Sequence, residues 1–119
     1  MNTRKIGAYG EEKAVQYLIQ NGHKIIARNF RKRGFEIDIV ALDKNNVLRF
    51  IEVKTVVDGT LEDAAYSIEN RNIKNYDLGL NAFLSDHPQY LEHQVAMDAC
   101  LLDNERIVYY ENVTSGLVF

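Results

Sequence analysis

Two short runs hold the side chains best suited to chemistry. "FEIDIVALD" carries Glu36 and Asp38, and "FIEVKT" carries Glu52 and Lys54, each pair separated by one residue. In a strand that spacing puts both members of a pair on one face. If Lys44–Asn46 form a three-residue loop, Asp43 pairs with Val47, so Asp38 faces Glu52 and Glu36 faces Lys54. A five-residue loop gives the same pairing, whereas a two-residue loop turns the two pairs to opposite faces. Facing residues have Cβ atoms roughly 4.5–5.5 Å apart, and like charges there are destabilising. Glu36 and Lys54 can compensate one another. Asp38 and Glu52 need a shared proton or a cation between them. A hard divalent ion, Mg²⁺ or Mn²⁺, takes such oxygen donors and keeps several waters for substrate and nucleophile. A neighbouring lysine can orient a water or offset charge on a phosphate.

Half-solvated strands also alternate apolar and charged residues without any catalytic purpose. Against that stand Phe35, Ile37, Ile39 and Val40 on one strand and Leu48, Phe50, Ile51 and Val53 on the other. Both faces of the hairpin carry apolar residues. The sheet is therefore expected to be covered on both sides, with the charges in a cleft.

Such a hairpin needs elements around it. "TRKIGAYGEEKAVQYLIQNG" puts Ile6, Gly10, Ala14, Tyr17 and Leu18 on one helical face, and Asn21-Gly22 stops the helix. "HKIIARNFR" reads as a strand, followed by the basic turn "RKRG". After the hairpin, "VVDGTLEDAAYS" reads as a loop, and a second helix is expected from near Ser67 to Asp86, closed by Pro88. "HQVAMDACLL" alternates as a strand, and "ERIVYYE" supplies the last one. The order α-β-β-β-α-β-β predicts an α/β protein with one mixed central β-sheet flanked by helices, a single domain over residues 1–119.

Composition narrows the setting. The chain has 119 residues, 46% hydrophobic and 26% charged, as in ordinary globular proteins. No apolar run approaches membrane-spanning length, and "MNTRKIGAYGEE" lacks the apolar centre of a signal peptide. The single cysteine, Cys100, rules out an internal disulfide and a cysteine-rich metal site. A cytoplasmic protein without a membrane partner is the expectation. The net charge of −3 is unlike that of a nucleic-acid binder, but it is unevenly spread. Residues 1–54 carry a formal +5 and residues 55–119 a formal −8. In the first half Arg28, Arg31, Lys32 and Arg33 can neutralise phosphates, with Arg71 and Lys74 as further candidates; a solvated charged turn has the same composition. The acidic half suits a basic protein partner. His23, His87 and His93 show no ligand spacing, and the sequence has no glycine-rich phosphate loop or nucleophile elbow.

The pattern Asp-x13-Glu-x-Lys, with a glutamate in a preceding helix, resembles the PD-(D/E)XK, or restriction-endonuclease-like, nuclease superfamily. More closely, the chain resembles the YraN-like family of small endonuclease-like proteins, related in fold to archaeal Holliday-junction resolvases. The matching segments are "GEEKAVQYL", "IIARNFR", "FEIDIVALD" and "FIEVKT", in that order, with weaker matches in "NAFL", "VAMDACLL" and "YYENVTSGLVF". The resemblance implies a restriction-endonuclease-like core in which Asp38 and Glu52 bind the metal and Lys54 is the catalytic lysine. It also implies the Val53 carbonyl as a further ligand, Glu36 as a supporting acid and Asp98 as a late aspartate that either orients a neighbour of the site or serves as a structural cap or pair. The helix glutamate falls on Glu11. At about 100° per residue, Glu11 flanks the apolar stripe beside Leu18, while Glu12 lies nearly opposite it.

Three departures stand out. Phe35 replaces the glycine usual before Glu-Ile-Asp, the second helix is poor in Lys/Arg, and Ala96 stands where a basic residue is usual. They leave the acids intact and weaken the expected nucleic-acid surface. The implied activity is metal-dependent endonuclease cleavage of nucleic acid, with DNA, including branched DNA, as the expected substrate. Junction cleavage would need a homodimer, for which "RIVYYE" offers an apolar edge. The competing reading is a nucleic-acid-binding or adaptor protein that keeps the fold and does not cut.

Overall fold

Helix α1 (Thr3–Gln20) opens the chain in a computed structural model that describes residues 3–32, 34–63 and 73–113. Its buried stripe is Gly10, Ala14 and Leu18, as the helical spacing predicts, with Val15 alongside. The stop is a Schellman closure. Gly22, at φ +86°, lets the Gly22 and His23 N–H groups reach the Ile19 and Leu18 carbonyls at 3.0 and 2.9 Å.

Five strands follow: β1 (Lys24–Lys32), β2 (Phe35–Leu42), β3 (Leu48–Thr55), β4 (Val95–Leu102) and β5 (Ile107–Tyr110). They form one sheet in the order β1-β2-β3-β4-β5. All neighbours are antiparallel except β3 and β4, which are parallel and joined by a crossover carrying helix α2 (Ile73–Asp86). The α/β class, the mixed sheet and the element order match the sequence expectation.

The β2–β3 loop is the three-residue one. Asp43 N–H bonds the Val47 carbonyl at 3.0 Å, and Asn46 takes the left-handed conformation (φ +62°). The Asp43 carboxylate accepts the N–H groups of Asn45 and Val47, and these bonds fix the register. Ile39 pairs with Ile51 and Leu42 with Leu48.

Both sheet faces are covered. On one, Ala14, Val15 and Leu18 of α1 pack on Ile39, Ala41, Ile51, Cys100 and Leu102. On the other, Phe83 of α2 packs on Ile37, Val40, Leu48 and Phe50. The near-continuous burial along β4 follows from its place between two covered faces.

Two local expectations are revised. Residues 61–63, read as loop, are helical: Thr60 Oγ1 accepts the Asp63 N–H at 3.0 Å, and Leu61 is buried against Ala99 and Leu101. The start of the second helix near Ser67 lies outside the described residues.

Candidate active site

Past the Ile39–Ile51 pair the two central strands stop pairing, and Asp38 sits at that point. Its Oδ2 accepts the backbone N–H of Val53 at 2.8 Å. A side chain thus satisfies a strand donor beyond the end of the ladder. Across the other edge of β2, Arg28 pairs with Ile39 and Phe30 with Ile37, but the intervening Asn29–Asp38 pair is skipped. Asn29 has φ +53°, a left-handed backbone within a strand. Asp38 is therefore bounded on both sides by gaps in the sheet pairing.

Two cavities meet at this residue. A cleft of about 400 Å³ is bordered by Glu11 of α1 and by Arg28, Asn29, Arg31, Glu36, Asp38, Val53 and Thr55 of the sheet. A smaller cavity of about 30 Å³ holds Glu36, Asp38 and Glu52 together with Phe50 and Met97. Asp38 and Glu36 belong to both, Glu11 to the first and Glu52 to the second. Burial raises the Asp38 pKa to about 6; Glu52, Glu36 and Glu11 push it the same way, and only the Val53 N–H opposes them. The charged groups that raise it are carboxylates, while Arg28 and Arg31 line the same cleft.

Helix α1 reaches the sheet closely enough to seat Glu11 there because Gly10 has no side chain. A Cβ at Gly10 would lie 1.8 Å from Thr55 Oγ1 and 3.0 Å from Leu102 Cδ1. The Glu11 side chain is 14% exposed and that of Glu12 53%, as the helical angle predicts. Asn29 Nδ2 donates to Glu11 Oε1 at 2.8 Å. Thr55 Oγ1, on the cleft wall, is buried and has no hydrogen-bond partner among the described residues.

Lys54 is exposed on β3 and borders neither cavity. The basic residues of β1 are engaged with acids. Arg28 lies 3.1 Å from Glu12 and 3.8 Å from Glu11, Arg31 3.2 Å from Glu36, and Lys32 2.7 Å from Asp86. Lys74 falls within α2, and Arg33 and Arg71 lie outside the described residues.

Asp98 is held elsewhere, near the closed end of the hairpin. It is 1% exposed, and Arg49 Nη1 donates to its two oxygens at 3.1 and 2.9 Å. The Tyr109 hydroxyl and the Asn112 N–H also donate to it. Arg49 Nε reaches Asp43 at 2.9 Å. Although burial opposes the charge, the bonds to Asp43 and Asp98 hold the guanidinium above its ordinary pKa. This network ties β3, β4, β5 and the hairpin loop together. Sequence reasoning passed over Arg49 and Asn29. An asparagine inside a strand run was the available signal for the second.

A model of the "Uncharacterised protein family UPF0102" matches residues 10–103. The chain belongs to that family. The YraN-like resemblance of its motifs is this membership. A UPF0102 protein of Petrotoga mobilis is 36% identical over 110 residues, covering 92% of this chain and 95% of that one. Another, from Rhodopseudomonas palustris, is 37% identical over 98 residues, covering 82% and 70%. Among solved structures, SfsA of Pyrococcus furiosus in complex with Ca²⁺ is similar at a TM-score of 0.35 and 14% identity, covering 92% of this chain and 64% of that one. Among the described residues, no helix is long and apolar enough to cross a membrane.

Proposed function

We propose that this chain is a divalent-cation-dependent phosphodiesterase that cuts nucleic acid, with DNA, including branched DNA, as its expected substrate. The observation that carries the reading is the buried Asp38 carboxylate, its pKa raised by burial and by Glu52, Glu36 and Glu11, in a cleft whose two arginines, Arg28 and Arg31, are already engaged by Glu12 and Glu36. Asp38 itself has no arginine or lysine partner among the ion pairs of the described residues, and like charges set close together favour a cation between them.

The donor set suits Mg²⁺ or Mn²⁺. Among the described residues no three His, Cys, Asp or Glu side chains converge at metal-binding spacing. Mg²⁺ asks for less, one or two carboxylates with water and substrate oxygens completing the shell. Asp38 and Glu52 would hold it. The Val53 carbonyl would assist, since the N–H and C=O of a strand residue point to the same edge and this N–H already meets Asp38. The ion would supply Lewis-acid compensation of charge on the phosphate.

The chain's own residues do the rest. Hydrolysis breaks a P–O bond as a water oxygen attacks phosphorus, the water gives up a proton, and the leaving oxygen gains one. Glu11 closes the helix side of the cleft and can hold a water by hydrogen bonding. Lys54, two residues beyond Glu52 on the exposed side of β3, would orient the attacking water and offset phosphoryl charge of a substrate laid across that strand. Arg28, Arg31 and Lys32 can exchange their carboxylate partners for backbone phosphates.

That last point favours a second reading. Basic residues already paired with acids bind phosphate weakly, which fits an adaptor whose acidic half docks a basic protein supplying the nucleic-acid contacts. Cleavage of branched, duplex and single-stranded DNA and RNA, with Mg²⁺ and with chelator, separates the two. Cutting that needs Mg²⁺ and disappears in Lys54→Ala supports the enzyme. Binding unchanged in chelator, without cutting, supports the adaptor.

A further inference from the structure

Asn29 combines two features of the cleft in one residue. Its backbone is left-handed at φ +53°, a conformation costly for most side chains and least so for glycine, asparagine and aspartate. That conformation falls where β1 passes Asp38, and there the β1–β2 pairing omits one pair. Its side chain then turns toward α1, where Nδ2 donates to Glu11 Oε1 at 2.8 Å. Asn29, Glu11 and Asp38 border the same cleft.

The donor type matters. Arg28 forms an ion pair with Glu11 at 3.8 Å, longer than its 3.1 Å contact to Glu12, so the Asn29 amide is the hydrogen-bond donor to Glu11. A neutral amide fixes the direction of a carboxylate and leaves its charge in place. The Asn29 amide and Arg28 Nε both lie on Oε1 of Glu11, at 2.8 and 3.8 Å.

We propose that Asn29 is a positioning residue: its left-handed backbone opens the sheet beside Asp38, and its amide aims the Glu11 carboxylate into the cleft. The proposal rests on the reading of the cleft as a cation site. It adds the residue that prepares the site before any ion arrives.

The test uses the full chain and two readouts. Asn29→Gly keeps the backbone and removes the amide. Asn29→Ala also removes the amide without adding a charge, at a modest backbone cost, and serves if the glycine variant is unstable. The first readout, without metal, is the ¹³C resonance of the Glu11 side-chain carboxyl, assigned by its loss in Glu11→Gln. Either Asn29 variant is expected to shift this resonance and to leave the carboxyl resonance of Glu105, in the β4–β5 turn, unmoved. The second readout is Mn²⁺ binding by calorimetry, expected to weaken several-fold, because Glu11 holds a water beside the ion and loses its direction. An unmoved Glu11 resonance in a folded variant, or unweakened Mn²⁺ binding, overturns the proposal. If the wild type itself binds no Mn²⁺, the cation-site reading fails, while the Glu11 resonance still decides whether Asn29 aims that carboxylate.

Discussion

The carboxylate of Asp38 accepts the backbone N–H of Val53 at 2.8 Å, beyond the last β2–β3 pair, Ile39–Ile51. One bond thereby pins the acid of one strand to the backbone of the strand that carries Glu52 and Lys54. It also holds a desolvated carboxylate among three others, an arrangement with measurable consequences before any ligand is added.

The first is a pH dependence of folding. Asp38 has a pKa of about 6 in the folded protein against an ordinary 3.8, chiefly through burial. Between those values the folded state binds more protons than the unfolded state, so this group's contribution to stability falls as pH rises from about 4 to about 6 and is flat above. The full contribution is up to about 3 kcal/mol. Asp43 works in the opposite direction: burial opposes its charge, but the Val47 N–H and Arg49 outweigh it and hold the pKa below its ordinary value. The informative quantity is therefore the difference between wild type and Asp38→Asn in urea unfolding at several pH values across that window and above it. The wild type should lose stability relative to the variant as pH rises through the window. A constant difference would contradict the assigned environment.

Arg49 makes a second prediction. Arg49→Met leaves Asp98 buried without its cation, and loss of about 3–5 kcal/mol is expected by urea unfolding. Arg49→Lys should recover only part of it, because one ammonium cannot reproduce the fork that meets Asp43 and Asp98 together. A loss below about 1 kcal/mol in Arg49→Met would mean that the network carries little stability.

The approach of α1 to β3 is tested by Gly10→Ala. The new Cβ would overlap Thr55 Oγ1, and destabilisation of about 1–3 kcal/mol is expected. Thr55→Ala removes that oxygen, which has no hydrogen-bond partner among the described residues, so the double variant should be more stable than the two separate losses imply. Strict additivity would show that the helix does not touch the strand there.

Much of this was readable in the residues. The Asp-Lys-Asn-Asn-Val loop fixes the β2–β3 register and the helical angle separates Glu11 from Glu12, because both depend on local geometry alone. The expected facing pairs Asp38–Glu52 and Glu36–Lys54 lie past the last ladder pair, Ile39–Ile51, and Glu36 meets Arg31 instead. Arg49 was hidden because its partner Asp98 is distant in sequence, and an arginine in a strand reads as a solvent-facing residue. The ion pairs of Arg28 and Lys32 were hidden for the same reason: Glu11, Glu12 and Asp86 reach β1 only through the packing of α1 and α2. The division of the acids between two cavities depends on where the strands separate, which alternation along a strand does not encode.

Whether Asp38 and Glu52 hold a divalent cation is tested most directly by Mg²⁺ and Mn²⁺ titration in a calorimeter. Wild type, Asp38→Ala and Glu52→Gln are each titrated alone and with a DNA duplex present. Binding by the wild type, with or without the duplex, and its loss in both variants is the predicted result. Binding that survives in Asp38→Ala, or none by the wild type even with the duplex, would contradict the assignment.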